Sequence, residues 1–372
     1  MARFFLILSL SLMVISCGVG PTPTFDILWR AEENKGMRLA TEAVNPDRGL
    51  FWSTDGKELY YSALQGNGGT IKAYSFATST SRTIFTTPRG IYSPFLSKDG
   101  STFYFISAVV NSDNTFEETI NKVNITNSTI AKIDQYAGYS ALYYGLMPYA
   151  VSGDNSLFAY SIRDSIYLYS ISTTKKQFLA EGLPISFSPD GKQLWYYKYT
   201  DNYDSTTFPT FVVTISDTTK KQLPFSLSRN IGSARWDLTG MKIVFYEQGC
   251  ISKVKNLTTG AENIIWQSPK CDPDIQLNAQ WEDDFKDLQN SCWRDDNGLF
   301  TLVTVKHIPC NCSPIGFTRQ YYLRRITTSP RSDSVFAFLN DDVGSASLSP
   351  NAKKLAYTVG GNDYGIYIKE LP

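Results

Sequence analysis

The sequence predicts an all-β protein, a single β-propeller of four-stranded antiparallel blades. Three observations lead there. A stretch of the form SFSPDGKQLWYY (186–197), an apolar strand end, a Ser-Pro-Asp-Gly turn and an alternating aromatic run, recurs along the chain. The recurrences fall at the period of a blade, and each is followed by two further short strand patterns. No long segment carries the 3.6-residue apolar period of a helix.

The recurrences are FWSTDGKELYYS (51–62), FLSKDGSTFYFI (95–106), AVSGDNSLFAYS (150–161), FSPDGKQLWYY (187–197), RWDLTGMKIVFY (235–246) and SLSPNAKKLAYT (347–358). One more copy lies between the last two, as QWEDDFKDLQ (280–289) or as CWRDDNGLFTLV (292–303). Its turn then falls at Asp284 or at Asp296. The second register is preferred, because it spaces the units more evenly and leaves RQYYLRRIT and SVFAFLN as the next two strands. Either way the blades number seven, with six or eight as the neighbouring possibilities. Within each unit, Asp-Gly between alternating runs signals a tight hairpin, since Gly accepts positive φ without a steric penalty. The period-two run after it, rich in Tyr, Phe, Val and Leu, suits a half-buried strand. TIKAYSF and RTIFTT supply the third and fourth strands of the first unit, SIYLYSI and KQFLAE those of the third. A lone sheet of this size cannot bury both faces; stacking blades around a ring does.

The last unit reaches Pro372 directly after its third strand. FDILWRA (25–31) or GMRLATEA (36–43) is therefore expected to supply the fourth, closing the ring from the other end and removing an exposed edge.

Ahead of the repeats, Arg3 and the apolar run Phe4–Ile15 form a secretory leader, too short to span a bilayer. Val14-Ile15-Ser16-Cys17 resembles the bacterial lipobox, which implies lipidation of Cys17. The expected organisation is a signal peptide over 1–16, a tether over 17–24 (GVGPTPT after the Cys) and a propeller over 25–372. Arg3 is the one charge lost with the leader, so 35 basic residues become 34 against 35 acidic. Such a balance argues against nucleic acid as a partner.

The S-P-D-G turn with its apolar strand, and the IY-type strand YGIYIKEL (364–371), are similar to the propeller repeats of TolB and its relatives, over about residues 45–371. The resemblance implies the fold. It also implies an exported, monomeric envelope protein that binds another protein, although the same repeats occur in peptidase accessory domains and lyases. Asp154-Asn155, Thr239-Gly240 and Asn351-Ala352 depart from the Asp-Gly pattern.

Signatures of catalysis are sparse. His307 is the single histidine, which excludes a His-pair metal site and leaves any Ser-His-Asp arrangement resting on one residue. Neither a nucleophile elbow nor a phosphate-binding glycine loop occurs. SKDGSTF (97–103) resembles a sialidase Asp-box but reads better as a hairpin, and DNYDS (201–205) lacks the Gly and distal Glu of a calcium loop. Asp283-Asp284 and Asp295-Asp296 are sequence neighbours and would face opposite sides of a strand. Tyr60-Tyr61, Tyr143-Tyr144 and Tyr196-Tyr197 should likewise pack both faces of a blade. No catalytic residue, cofactor or metal site is expected. The leading reading is a lipid-anchored, non-catalytic module for an envelope protein partner, held at the membrane by its N-terminal lipid. The rival is a carbohydrate- or peptide-active enzyme with its site in the central funnel.

Cys250, Cys271, Cys292, Cys310 and Cys312 all lie in the last third of the chain. In an exported protein they are disulfide candidates. Cys250 and Cys271 flank the third and fourth strands of the fifth unit and should pair, with Cys292 bridging to Cys310 or Cys312 and one thiol left over.

Overall fold

Alternating strands joined by Ser-Asp-Gly turns have one way to bury both faces, and a computed structural model of the chain takes it. It describes residues 37–371 except 41–48, 66–67, 111–115, 139–148, 163, 199–206, 229–234, 237–241, 248–250, 258, 268–280, 285–287, 290–298, 310–316, 329–330, 340–342, 352 and 360–364. The leader, FDILWRA, Tyr143-Tyr144, DNYDS, Thr239-Gly240, Asp295-Asp296 and all six cysteines lie outside the described residues.

β1 (Met37–Ala40) comes first, then the blades in order. Blade one holds β2 (Leu50–Trp52), β3 (Glu58–Gln65), β4 (Gly68–Ser75) and β5 (Thr80–Thr87). Blade two holds β6 (Gly90–Leu96), β7 (Thr102–Val110), β8 (Phe116–Asn124) and β9 (Ile130–Gly138). Blade three is β10 (Tyr149–Val151), β11 (Leu157–Ile162), β12 (Ser165–Ser170) and β13 (Lys176–Glu181). Blade four is β14 (Leu183–Phe187), β15 (Gln193–Tyr197), β16 (Thr207–Thr214) and β17 (Lys220–Ser228). Blade five is β18 (Arg235–Trp236), β19 (Lys242–Glu247), β20 (Ile251–Asn256) and β21 (Glu262–Gln267). Blade six is β22 (Trp281–Asp284), β24 (Leu299–Pro309), β25 (Phe317–Thr328) and β26 (Arg331–Leu339). Blade seven is β27 (Val343–Leu348), β28 (Lys354–Val359) and β29 (Gly365–Glu370), with β1 as its outermost strand and β23 (Leu288–Gln289) against its innermost. Among the described residues the sheets are therefore seven, six of four strands and one of five.

Among the described residues seven apolar clusters mortar the ring, each spanning two consecutive blades. Phe51, Tyr60 and Phe85 meet Phe103 and Phe105 between blades one and two. Tyr104 and Ile106 meet Phe158 and Tyr160 between two and three. Equivalent clusters continue to the seventh blade, and the last joins Leu50, Trp52 and Tyr61 to Ala356, Ile366 and Ile368. The paired tyrosines divide as their alternation requires: Tyr60 faces blade two and Tyr61 faces blade seven, while Tyr196 faces blade three and Tyr197 faces blade five.

GMRLATEA supplies the closing strand. β1 runs antiparallel to β29 with Met37 opposite Ile368 and Arg38 opposite Tyr367. The seam carries further bonds. Trp52 Nε1 donates to the Ser347 carbonyl at 3.0 Å across the buried joint, and the Lys354 ammonium sits 4.9 Å from the Phe76 ring. A polar clasp also ties blade two to blade three, where Asp134 accepts from the Tyr160 hydroxyl at 2.8 Å and from Lys176.

Blade six corrects the preferred register. Its first strand is WEDD (281–284), from one copy, while its second begins at Leu299, inside the other. Trp281 lies opposite His307 and Asp284 opposite Thr304, so β22 pairs with the later half of a long strand. RQYYLRRIT and SVFAFLN fall in the third and fourth strands as expected. Between β22 and β24, the chain crosses to blade seven, where Leu288 and Gln289 pair in parallel with Ala346 and Ser347 of β27.

Candidate binding faces

In each blade the first-to-second and third-to-fourth turns open on one side of the ring, and the second-to-third turns and blade-to-blade links on the other. The first side is a collar of repeated turns. Asp-Gly does not form a two-residue hairpin there. Five residues separate the strands, as in Ser53–Lys57, and the Ser53 N–H donates to the Glu58 carbonyl at 2.9 Å.

The serine that opens each turn organises it. The hydroxyls of Ser53, Ser97, Ser152 and Ser188 donate to Asp55, Asp99, Asp154 and Asp190 at 2.6–2.7 Å. The same oxygens accept from the N–H groups of Glu58, Thr102, Leu157 and Gln193 at 2.9–3.0 Å. Each carboxylate also accepts the N–H two residues on, at 3.0–3.1 Å, from Lys57, Ser101, Ser156 and Lys192. Gly56, Gly100 and Gly191 then take φ near +70°, the left-handed conformation that side chains resist.

The departures from Asp-Gly obey the same chemistry. Asn155 occupies the glycine position at φ 57°, and asparagine tolerates that region. Asn351 replaces the aspartate, and its Oδ1 accepts from Ser349 at 2.8 Å and from the Lys353 N–H at 3.1 Å.

A second repeated turn escaped the sequence reading. The residues Ser79, Ser128, Thr174, Thr218 and Gly260 close the third-to-fourth turns of blades one to five, all at positive φ. In the first four, Phe76, Ile125, Ile171 and Ile215 donate their N–H back to the carbonyls of Lys57, Ser101, Ser156 and Lys192, locking the two turns together. A bulky apolar residue three positions before a Ser, Thr or Gly, as in Phe76–Ser79 and Ile125–Ser128, is the signal that would have found it.

Neighbouring turns touch. A methyl on Gly100 would lie 3.1 Å from Thr54, one on Gly153 would lie 3.2 Å from the Pro189 carbonyl and 3.6 Å from the Lys98 ammonium, and one on Gly56 would meet Pro350 at 3.6 Å. The collar is thus continuous from blade seven through blade four. Asp55, Lys57, Lys98, Asp99, Asp154, Asp190, Lys192 and Lys353 are exposed on its first-to-second turns and Lys175 and Asp217 on its third-to-fourth turns, five acids against five lysines among the described turn residues.

The collar carboxylates are held ionised. The Lys57 N–H and then the Ser53 hydroxyl keep Asp55 below the usual carboxylate range. For Asp154 and Asp190 the Ser152 and Ser188 hydroxyls lead, followed by backbone N–H groups. Burial pushes Asp99 upward, but donation from Ser97 and Ser101 outweighs it. Because these folded-state values are depressed, their stabilisation is complete above the unfolded value and is lost as pH falls through the folded one. The window lies below about pH 4. The Ser53→Ala, Ser97→Ala, Ser152→Ala and Ser188→Ala variant should lose ~1 kcal/mol per turn at neutral pH. It should also lose less on acidification than the parent does. Urea unfolding at pH 7 and pH 3 measures both, and an unchanged acid dependence would contradict the assignment.

The far side is built differently. Its connections range from the single Gly182 between β13 and β14 to the longer ones that follow Val110, Gly138, Tyr197, Gln267 and Pro309, over 111–115, 139–148, 198–206, 268–280 and 310–316. Their lengths differ from blade to blade. Asp164, at φ 62°, is pushed up by burial, and its carbonyl accepts from the Gly182 N–H at 2.5 Å where blade three passes to blade four. His307 lies near the far-side end of β24, opposite Arg319 of the next strand. Among the described residues no group of three His, Cys, Asp or Glu side chains converges as metal ligands would.

The chain is a β-propeller, the fold that the TolB-like repeats imply. No protein-family model matches it, and no curated protein matches it in sequence. Among solved structures it is similar to an oligogalacturonate lyase in complex with manganese, with a TM-score of 0.58 and 11% identity over 90% of this chain and 92% of that one. It is also similar to the dipeptidyl peptidase 4 of Porphyromonas gingivalis, with a TM-score of 0.51 and 11% identity over 94% of this chain and 60% of that one. The likeness to a putative TolB from Agrobacterium tumefaciens has a TM-score of 0.45 at 13% identity, over 82% and 99% of the two chains. At such identities likeness is one of fold, and function must be argued from the surfaces.

Proposed function

We propose that the chain is a lipid-anchored β-propeller of the bacterial cell envelope that binds a protein partner through its far side and is not itself an enzyme. One observation carries the reading: the two sides of the ring are built on different rules. In blades one to four and seven the collar repeats one turn, whose Asp or Asn oxygens are taken up by serine and backbone donors within it and so serve architecture, while blade six crosses there to blade seven through β23. The far side joins the same blades by connections of unequal length, from the single residue 182 to the thirteen of 268–280. Binding residues concentrate on such connections when a rigid scaffold positions them. The leader and the lipobox cysteine, Cys17, support the envelope address and the anchor. A single acyl chain holds a protein only marginally, so retention calls for the multiply acylated N-terminus of a lipoprotein.

Crosslinking in the native envelope followed by capture of the tagged, full-length chain tests the reading. One envelope protein should be enriched, and the Cys17→Ala variant should lose fatty-acid labelling and leave the membrane fraction. Capture of no partner, together with turnover of glycans or peptides by the pure protein, would replace the proposal with the enzyme reading.

A further inference from the structure

We infer that the collar is the membrane-proximal side of the anchored protein, so that the far side points away from the bilayer. The inference rests on the lipid anchor at Cys17 proposed above, and adds an orientation that the anchor alone does not supply. It comes from the register of the closing strand. Lys354, which follows the collar turn of blade seven, pairs with Glu370, so the end of β29 lies at the collar. Met37 pairs with Ile368 and Ala40 with Ile366, so β1 runs from the collar toward the far side. The chain arriving from Cys17 therefore enters the ring at the collar, on the outer edge of blade seven.

Cys17 stands twenty positions before Met37, a reach of at most ~68 Å at about 3.4 Å per residue. Presenting the far side to the bilayer would send that segment back along the outside of the blade, ~20 Å for a six-residue strand, before it reached lipid. Entry at the collar requires no such detour. The surface there suits the position. Met37, the most exposed of the large apolar side chains among the described residues at 62%, lies at the point of entry. Among the described turn residues the collar balances five carboxylates with five lysines, and would neither repel nor strongly bind an anionic headgroup layer.

Energy transfer to the bilayer tests the orientation. The full-length, lipidated protein is reconstituted on vesicles of phosphatidylethanolamine and phosphatidylglycerol containing a rhodamine-labelled lipid. A donor dye is attached through p-azidophenylalanine, introduced in separate variants at Lys192 on the collar and at Glu181, which is exposed on the far side. The collar dye should transfer several-fold more efficiently than the far-side dye. Equal transfer, or stronger transfer from Glu181, in protein that floats with the vesicles overturns the orientation and leaves the anchor intact. Protein that neither floats nor takes up fatty acid overturns the anchor, and the orientation with it.

Discussion

Deleting residues 25–44 should leave a propeller that aggregates or melts at much lower temperature with a broadened transition. The deletion removes β1, the outermost strand of blade seven. It bares the backbone edge of β29, whose Ile366 and Ile368 belong to the cluster joining the last blade to the first. Leu39 packs against that same cluster and is lost. Three paired positions at about 1 kcal/mol per hydrogen bond, with ~1.5 kcal/mol for a partly buried leucine, put the loss on the order of 5 kcal/mol. Net stabilities are about 5–15 kcal/mol, so such a loss is a large share of the total. The bared edge also offers a template for intermolecular pairing. Leu39→Asp keeps the chain length and removes only the apolar contact; it should lower the melting temperature less than the deletion does. Light scattering and calorimetry read both variants. A soluble, cooperatively melting deletion would show that the Trp52–Ser347 and Lys354–Phe76 contacts close the ring without β1.

That closing strand was legible because a blade was one strand short, a matter of counting. The collar turns were legible too, because Ser, Asp and Gly do their work within five residues of one another. Asn155 and Asn351 broke the written motif without breaking the chemistry, since one needs only to tolerate positive φ and the other only to accept two hydrogen bonds. Blade six was misread for a local reason. Two Trp-x-Asp-Asp stretches offered equivalent turns, and the chain takes its first strand from one and its second from the strand following the other. The crossing at Leu288 and Gln289 could not be foreseen, because two residues carry no periodicity. Third-to-fourth turns were missed since Ser and Thr, not Gly, hold most of the left-handed positions. The two-sided division of the ring follows from the antiparallel strand order that the repeats already imply, with second-to-third turns and blade-to-blade links on one face. No single stretch encodes which side a connection joins.

Gly182 shows the limit of local reading most sharply, and its replacement should be among the most damaging point changes in the chain. It stands between the last strand of blade three and the first of blade four with φ at +132°. Nothing in LAEGLPI marks it as different from the glycines of the collar turns. Its requirement comes from packing: an added methyl would collide with the Tyr197 carbonyl oxygen and lie 3.0 Å from the Tyr196 ring. Tyr197 is buried in the joint between blades four and five, so its backbone has little freedom to retreat. The glycine cannot move away either, because its N–H donates to the Asp164 carbonyl at 2.5 Å and its own carbonyl accepts from the Ser161 hydroxyl at 2.9 Å. Conformational strain of ~1–3 kcal/mol thus adds to a clash between main-chain atoms. Gly182→Ala should therefore cost at least ~4 kcal/mol or prevent folding, in the range reserved for a few named mechanisms. Gly191→Ala is the comparison. Its φ is +70°, but its added methyl would meet Ser152 at a comfortable 3.6 Å, so it should cost only ~1 kcal/mol. Urea unfolding of the two variants separates packing from backbone conformation, and equal losses at both positions would refute the role assigned to the Tyr197 contact.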